Sequence, residues 1–236
     1  RWMLRSQITG GFVDAAIPFI QQAQADGKPF YINVWPDDVH GPYWPPVDKW
    51  ADGKRGLYLS VLEEMDRQLG RLFDVIREND ELRENTLVLI CSDNGPEKGA
   101  GSAGPFRGFK TNLYEGGIRS SLVAWGPGVL TKTGHVDRSS IFSSIDLVPT
   151  LLDLTSFRRP PDRDAFYGVD DLPDLAMRDG SWKLLCEYDG SDPQLYNLAH
   201  DRGETTNLAV KKPEVVAQMT KALLTWHRSM PPDSGE

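Results

Sequence analysis

Two apolar spacings alternate along the chain, and the change from one to the other divides it into elements. Tyr58, Leu62, Met65, Leu69, Leu72 and Ile76 recur at steps of four and three. That spacing puts them on one face of a helix and leaves Glu63, Glu64, Arg67 and Arg71 outside. A further helix is expected from Val13 to Ala23. On either side of the long helix stand short apolar runs of strand length, Phe30-Tyr31-Ile32-Asn33-Val34-Trp35 and Leu87-Val88-Leu89-Ile90-Cys91. A strand, helix, strand succession predicts a largely parallel sheet flanked by helices. Another apolar strand, Leu122-Val123-Ala124-Trp125, closes on Gly126-Pro127-Gly128. Past Asp153 the pattern changes. Asp179-Gly180, between Leu175-Ala176-Met177 and Trp182-Lys183-Leu184-Leu185, reads as a hairpin turn. Pro213 opens a last helix with Val216, Met219, Leu223 and Trp226 inward. The fold class is therefore α/β, with an added small C-terminal antiparallel sheet packed with one helix. The division falls between residues 1–155 and residues 156–236.

The most informative stretch is the end of the second run, Ser92-Asp93-Asn94-Gly95. In an open α/β sheet, ligands sit outside the carboxyl ends of the strands, where Asp93 and Asn94 are delivered. A carboxylate beside an amide oxygen suits a hard cation such as Ca²⁺ or Mg²⁺. The alternative is an Asx turn that merely closes the strand. Beyond it, Pro96 to Thr111 is too glycine-rich for helix or regular strand, and ordering it carries a large entropic cost. Something must hold it, and Arg107 and Lys110 point to an anion. A phosphate-cradling P-loop fails as the explanation: glycine and lysine are not adjacent before Thr111, and no clear amphipathic helix begins there.

Composition narrows the classes. The formal charge of −8 argues against a general nucleic-acid binder, which neutralises phosphates with basic patches. An acidic surface also repels polyanionic glycans at long range, so local Lys and Arg must grip them. Two cysteines far apart, Cys91 expected inside its strand, do not make a disulfide framework. No apolar run approaches the length of a membrane span. Tyr43, Trp44 and Trp50, among Pro42, Pro45 and Pro46, form either a sugar-stacking wall or the packing of an irregular loop. His200 and His227 read as surface residues, and Asp201-Arg202-Gly203-Glu204 as a polar turn.

The order Ser92-Asp93-Asn94-Gly95, Gly108-Phe109-Lys110, Glu115-Gly116-Gly117-Ile118-Arg119 and Trp125-Gly126-Pro127-Gly128 resembles the type I sulfatase family of the alkaline-phosphatase-like superfamily. Phe30 to Trp35 with His40-Gly41-Pro42 looks like its strand and histidine-x-proline site, and Asp146 to Leu154 like its following helix. Arg178 to Leu184, Leu195 to Leu198 and Glu204 to Leu208 resemble its C-terminal subdomain. The resemblance implies that Asp93 and Asn94 are metal ligands, with Ca²⁺ favoured and Mg²⁺ the alternative. It implies that His40 and Lys110 contact a sulfate ester. Elementary chemistry agrees, because transfer of an anionic sulfuryl group is helped by fixed cations and donors. For His40 the alternative is a loop histidine without a role; its place beyond a strand, among Asp37, Asp38 and prolines, favours the site. His135, after Gly134, is a further substrate-contact candidate, against the alternative of a solvated loop histidine.

Departures accompany the match. Sulfatases of this type use a formylglycine made in a Cys/Ser-x-Pro/Ala-x-Arg motif, and neither Cys91-Ser92-Asp93 nor Cys186-Glu187-Tyr188 fits it. The chain is thus expected to represent the C-terminal half of a longer sulfatase, inactive alone. The stretch from Ser156 to Leu175 is shorter than the family's. The implied partner is a sulfated small molecule or glycan, in a periplasmic, secreted or lysosomal-type compartment. Three functions follow: a sulfatase acting on carbohydrate sulfate monoesters; a phosphonate or phosphate monoester hydrolase of the same superfamily; or a non-catalytic sulfated-glycan-binding domain.

Overall fold

A computed structural model describes residues 6–138, 140, 142–155 and 173–230. Two helices, α1 (Ile8–Ala25) and α2 (Gly53–Glu78), pack on each other. Their shared core is Val13, Ala16 and Ile20 against Leu72 and Ile76, closed by Leu82 of the short helix α3 (Asp80–Asn85). Asn79 caps α3 by accepting the Leu82 N–H at 3.1 Å.

The expected stripe on α2 is rotated at its N-terminal half. Leu72 and Ile76 are buried as the spacing requires, but Glu64 and Gln68 are buried as well. Partners explain this. Gln68 donates to the Ser6 carbonyl at 3.0 Å and to Glu64 at 2.7 Å, and its side-chain oxygen accepts the Gly10 N–H. Glu64 also pairs with Arg67, and Lys49 stands 3.5 Å away. The Arg67 hydrogen bonds pull the Glu64 carboxyl down to about 2.

Phe30, Ile32 and Val34 pack inward on the α1–α2 core, while Tyr31 and Trp35 are exposed. The two-residue period of a strand is present, yet the segment joins no ladder among the described residues. The strand β1 (Val88–Cys91) pairs instead with β2 (Leu122–Trp125), antiparallel, with Val88 opposite Trp125 and Cys91 opposite Leu122. The chain returns to β1 through the glycine-rich loop rather than through a crossover helix, which leaves the antiparallel pairing open to it. Between them lies the single turn α4 (Glu115–Ile118). Only the Val88 end of β1 packs on the core; Ile90 and Cys91 are exposed, so the expectation of a buried Cys91 does not hold. The helix α5 (Ser144–Thr155) follows, as the resemblance implied.

The second sheet runs β3 (Leu175–Asp179), β4 (Trp182–Cys186), β5 (Gln194–Asn197), all antiparallel. The Asp179-Gly180 hairpin forms, with Asp179 opposite Trp182 and Gly180 at φ 56°. Alternation sorts its side chains between two cores. Leu175, Leu184, Cys186 and Leu195 face Met219 and Leu223 of α6 (Pro213–Ser229), and Leu185 and Tyr196 face Tyr114 on the other side. Burial pushes the Cys186 thiol up. Trp226, expected inward, is 55% exposed; next to it, half-buried His227 stacks on Tyr188 at 5.3 Å. Most of the short stretch before Leu175, residues 156–172, lies outside the described residues.

Candidate metal and anion site

The turn after β1 is held by serine hydroxyls and by the backbone. The Ser92 N–H donates to Ser120 Oγ at 3.0 Å, Ser92 Oγ donates to the Asn94 carbonyl at 2.8 Å, and the Gly95 N–H donates to the Gly117 carbonyl at 2.6 Å. Gly95 has to be glycine: a Cβ there would stand 1.9 Å from the Gly116 carbonyl oxygen. The Asp93 turn therefore rests directly on the glycine pair of α4. Asp93 is exposed and Asn94 half-buried. Among the described residues the Asp93 carboxylate makes no hydrogen bond or ion pair, unlike a side chain that merely closes a turn.

The glycine-rich loop folds back on itself, so that the Lys110 N–H donates to the Pro96 carbonyl at 2.9 Å. This brings half-buried Lys110 alongside the segment that follows Asn94. The expectation that Arg107 would hold an anion gives way to a structural role. Its guanidinium lies 3.9 Å over the Tyr114 ring and donates to Tyr196 Oη at 2.9 Å and to the Glu204 carbonyl at 2.8 Å. Protein groups thus order the loop on that side.

His40 arrives from another loop, exposed, with Nδ1 2.9 Å from the Gly41 carbonyl oxygen. Glu97 joins the two loops. It accepts from Tyr43 Oη at 2.6 Å and from Lys54 Nζ at 2.5 Å, and Gly41 is close enough that a Cβ there would lie 3.3 Å from Glu97 Oε2. Lys54, then Tyr43, holds the Glu97 carboxyl below its usual range, while burial and Glu97 raise the Tyr43 phenol. Tyr43 is buried and meets Tyr58 edge-on at 5.6 Å, so it belongs to the packing alternative rather than a stacking wall; Trp50 is 54% exposed. His135 is exposed, and no described contact ties it to this cluster.

Two oxygen-bearing side chains, one of them a carboxylate with no bond among the described residues, fit part of the shell of a hard cation that takes six to eight oxygens. Among the described residues no three His, Cys, Asp or Glu are arranged so that they could hold a metal ion, so Asp93 and Asn94 are a partial donor set. Sequence reasoning missed Glu97 with Tyr43 and Lys54. It also missed Lys183, which bridges Glu115 at 3.0 Å and Glu204 at 3.2 Å while 1% exposed. The second had a visible trace, a lysine inside the apolar run Trp182 to Cys186. The first had none, since Glu97 and Tyr43 are far apart in the chain.

The architecture is of the alkaline-phosphatase-like class. The sulfatase PsFucS1 of Pseudoalteromonas sp. superposes with a TM-score of 0.75 at 24% identity, over 95% of this chain and 53% of its own. The Sulfatase family model matches residues 8–157, and the chain belongs to that family. It is 34% identical over 174 residues to N-acetylgalactosamine-6-sulfatase of Sus scrofa, covering 71% of this chain and 32% of that protein. It is 25% identical to a sulfatase of Formosa agariphila, covering 95% of this chain and 51% of that one. The chain thus spans a third to a half of the length of these curated relatives. The family generally employs a divalent metal and a formylglycine. Among the described residues, no helix is long and apolar enough to cross a membrane.

Proposed function

We propose that the full-length protein hydrolyses sulfate monoesters on a carbohydrate, and that residues 1–155 carry part of its active site while 156–236 support it. The observation that carries this reading is the Lys110 fold-back onto Pro96, which follows the Asp93-Asn94-Gly95 turn, together with an Asp93 carboxylate that makes no bond among the described residues, in a chain of the sulfatase family. A relative named for N-acetylgalactosamine 6-sulfate supports a sulfated sugar as substrate. Asp93 and Asn94 would hold the metal, because a carboxylate and an amide oxygen are hard ligands that suit Ca²⁺ or Mg²⁺; the family resemblance favours Ca²⁺. When bound, such a cation supplies Lewis-acid stabilisation of sulfuryl oxygens.

The remaining chemistry belongs to this chain's own side chains. Lys110 offers a fixed positive charge to a sulfate oxygen that gains charge as the ester bond breaks. His40 would bind the ester or give a proton to the leaving oxygen, and His135 would be a peripheral substrate contact. No cysteine or serine here sits in the formylglycine motif, so no step is routed through that group. A periplasmic, secreted or lysosomal-type compartment accords with this substrate class. The test is turnover of paired aryl sulfate and aryl phosphate substrates by the full-length protein. Preference for the sulfate is expected. Preference for the phosphate would move it to the phosphate and phosphonate hydrolases, and binding of sulfated glycan without turnover of either would make it a lectin-like domain.

A further inference from the structure

We infer that Lys183 and Glu204 are positioning residues for the Asp93–Asn94 turn, acting from the C-terminal sheet through Glu115 and the Gly116-Gly117 pair. The inference rests on the metal reading of that turn. Each link is a short contact. Glu204 Oε2 accepts the Glu115 N–H at 2.5 Å, and Lys183 Nζ stands 3.0 Å from Glu115 Oε1 and 3.2 Å from Glu204 Oε1. Glu115 opens α4, and two residues on, the Gly117 carbonyl accepts the Gly95 N–H at 2.6 Å. Gly95 directly follows Asn94. On the other side, Gly117 is itself wedged, since a Cβ there would lie 2.0 Å from the Asn112 carbonyl oxygen. There is no slack along this path, so a shift of Glu115 moves the turn.

A lock made only for stability would more simply be apolar, because two charges taken out of water regain their desolvation cost only in good geometry. Here Glu115, Lys183 and Glu204 are all buried, at 3%, 1% and 0% exposure. Glu204 also holds φ 50°, a left-handed conformation unfavourable for a residue with a Cβ. Burial raises the Glu204 carboxyl. Arg119 at 3.2 Å and Arg178 at 3.7 Å cover the second oxygen of Glu115. Directional contacts of this kind fix an angle and a distance, which apolar packing does not. That is what a coordinating turn of two adjacent side chains requires.

The experiment measures Ca²⁺ affinity of the full-length protein by competition with a chelator, for Glu204→Gln, Lys183→Met and Asp93→Ala, at a temperature where circular dichroism shows each folded. Glu204→Gln keeps the shape and one acceptor for the Glu115 N–H, so it serves even where Lys183→Met does not fold. Affinity about 10-fold weaker for Glu204→Gln, as outer-shell substitutions typically produce, is expected, with turnover recovered at saturating Ca²⁺. Unchanged Ca²⁺ affinity in folded Glu204→Gln, with only its melting temperature lowered, would overturn the positioning role. Unchanged affinity in Asp93→Ala would overturn the metal reading itself.

Discussion

The loop cluster after β1 and the three-stranded sheet below it treat polar groups in opposite ways. In the cluster, Asp93 is exposed and makes no bond among the described residues, and the backbone is held by glycines pressed against carbonyls. In the sheet and the loop after β5, Lys183 and Glu204 are sealed from water and face each other as opposite charges, while Leu184, Leu185 and Leu195 are wholly buried. Spare coordination capacity sits at the open strand end, and charge that faces a counter-charge sits in the interior, where Lys183 stands 3.2 Å from Glu204. An unsatisfied carboxylate is tolerable only at a wet surface; inside, it would carry the full desolvation penalty. Substitutions in the cluster are therefore expected to change chemistry with little effect on stability, and substitutions in the sheet's apolar core the reverse, while Lys183 and Glu204 couple the two.

Asp93→Ala in the full-length protein is the severest test. It should remove bound metal and lower kcat/KM by about 10³-fold or more, on the order of 4 kcal/mol. The melting temperature should barely move, because the side chain makes no hydrogen bond or ion pair among the described residues. Elemental analysis finding the metal still at full occupancy would break the contrast at its strongest point. Lys110→Ala comes next, losing about 3 kcal/mol of transition-state stabilisation, as a removed electrostatic donor does. Steady-state kinetics on an aryl sulfate should show the loss mainly in kcat; an unchanged kcat/KM would remove Lys110 from the site.

The two regions were not equally legible. The hairpin at Asp179-Gly180 and the helix opened by Pro213 could be read because a positive-φ glycine and an N-terminal proline act locally. The run from Phe30 to Trp35 reads as a strand from its apolar character; the structure alternates Phe30, Ile32 and Val34 inward with Tyr31, Asn33 and Trp35 outward, but no ladder involving it is among the described pairs. The position of Asp93 and Asn94 at a strand end was legible, because turn chemistry is local too. Burial of Glu64 and Gln68 was not: a charge on a helix reads as solvated unless its partners are known, and Gly10 and Ser6 are distant in sequence. Glu97 was silent for the same reason, since its meaning lies in Tyr43 and Lys54, which only the tertiary fold brings near.

On the sheet's side of the contrast, Leu184→Ala is expected to destabilise by about 3 kcal/mol. The side chain is 0% exposed and faces Met219 and Leu223, so its loss leaves a cavity between β4 and α6. Chemical denaturation would measure it. At a denaturant concentration where the variant remains folded, Ca²⁺ affinity should match the parent's. A cost below about 1 kcal/mol would mean that this core is plastic and does not give Lys183 a rigid seat.

The smallest effect separates two of the buried glutamates, Glu64 and Glu204, whose pKa values move in opposite directions. Glu64 is held at about 2, against an ordinary 4.5, chiefly by Arg67, so it contributes stability above pH 4.5 that is lost as pH falls through about 2. Arg67 is 61% exposed, and solvent screening there limits the contribution to no more than about 2 kcal/mol. Glu204 is raised by burial, so its contribution is complete below pH 4.5 and declines as pH rises through its higher folded value. Unfolding free energies of the parent, Glu64→Gln and Glu204→Gln, compared between pH 7 and pH 3, therefore carry opposite signs. Acidification should narrow the gap between the parent and Glu64→Gln and widen the gap between the parent and Glu204→Gln. Parallel curves for all three would mean that neither carboxyl is set by its surroundings as the contacts require, and the contrast between open and sealed charge would lose its thermodynamic basis.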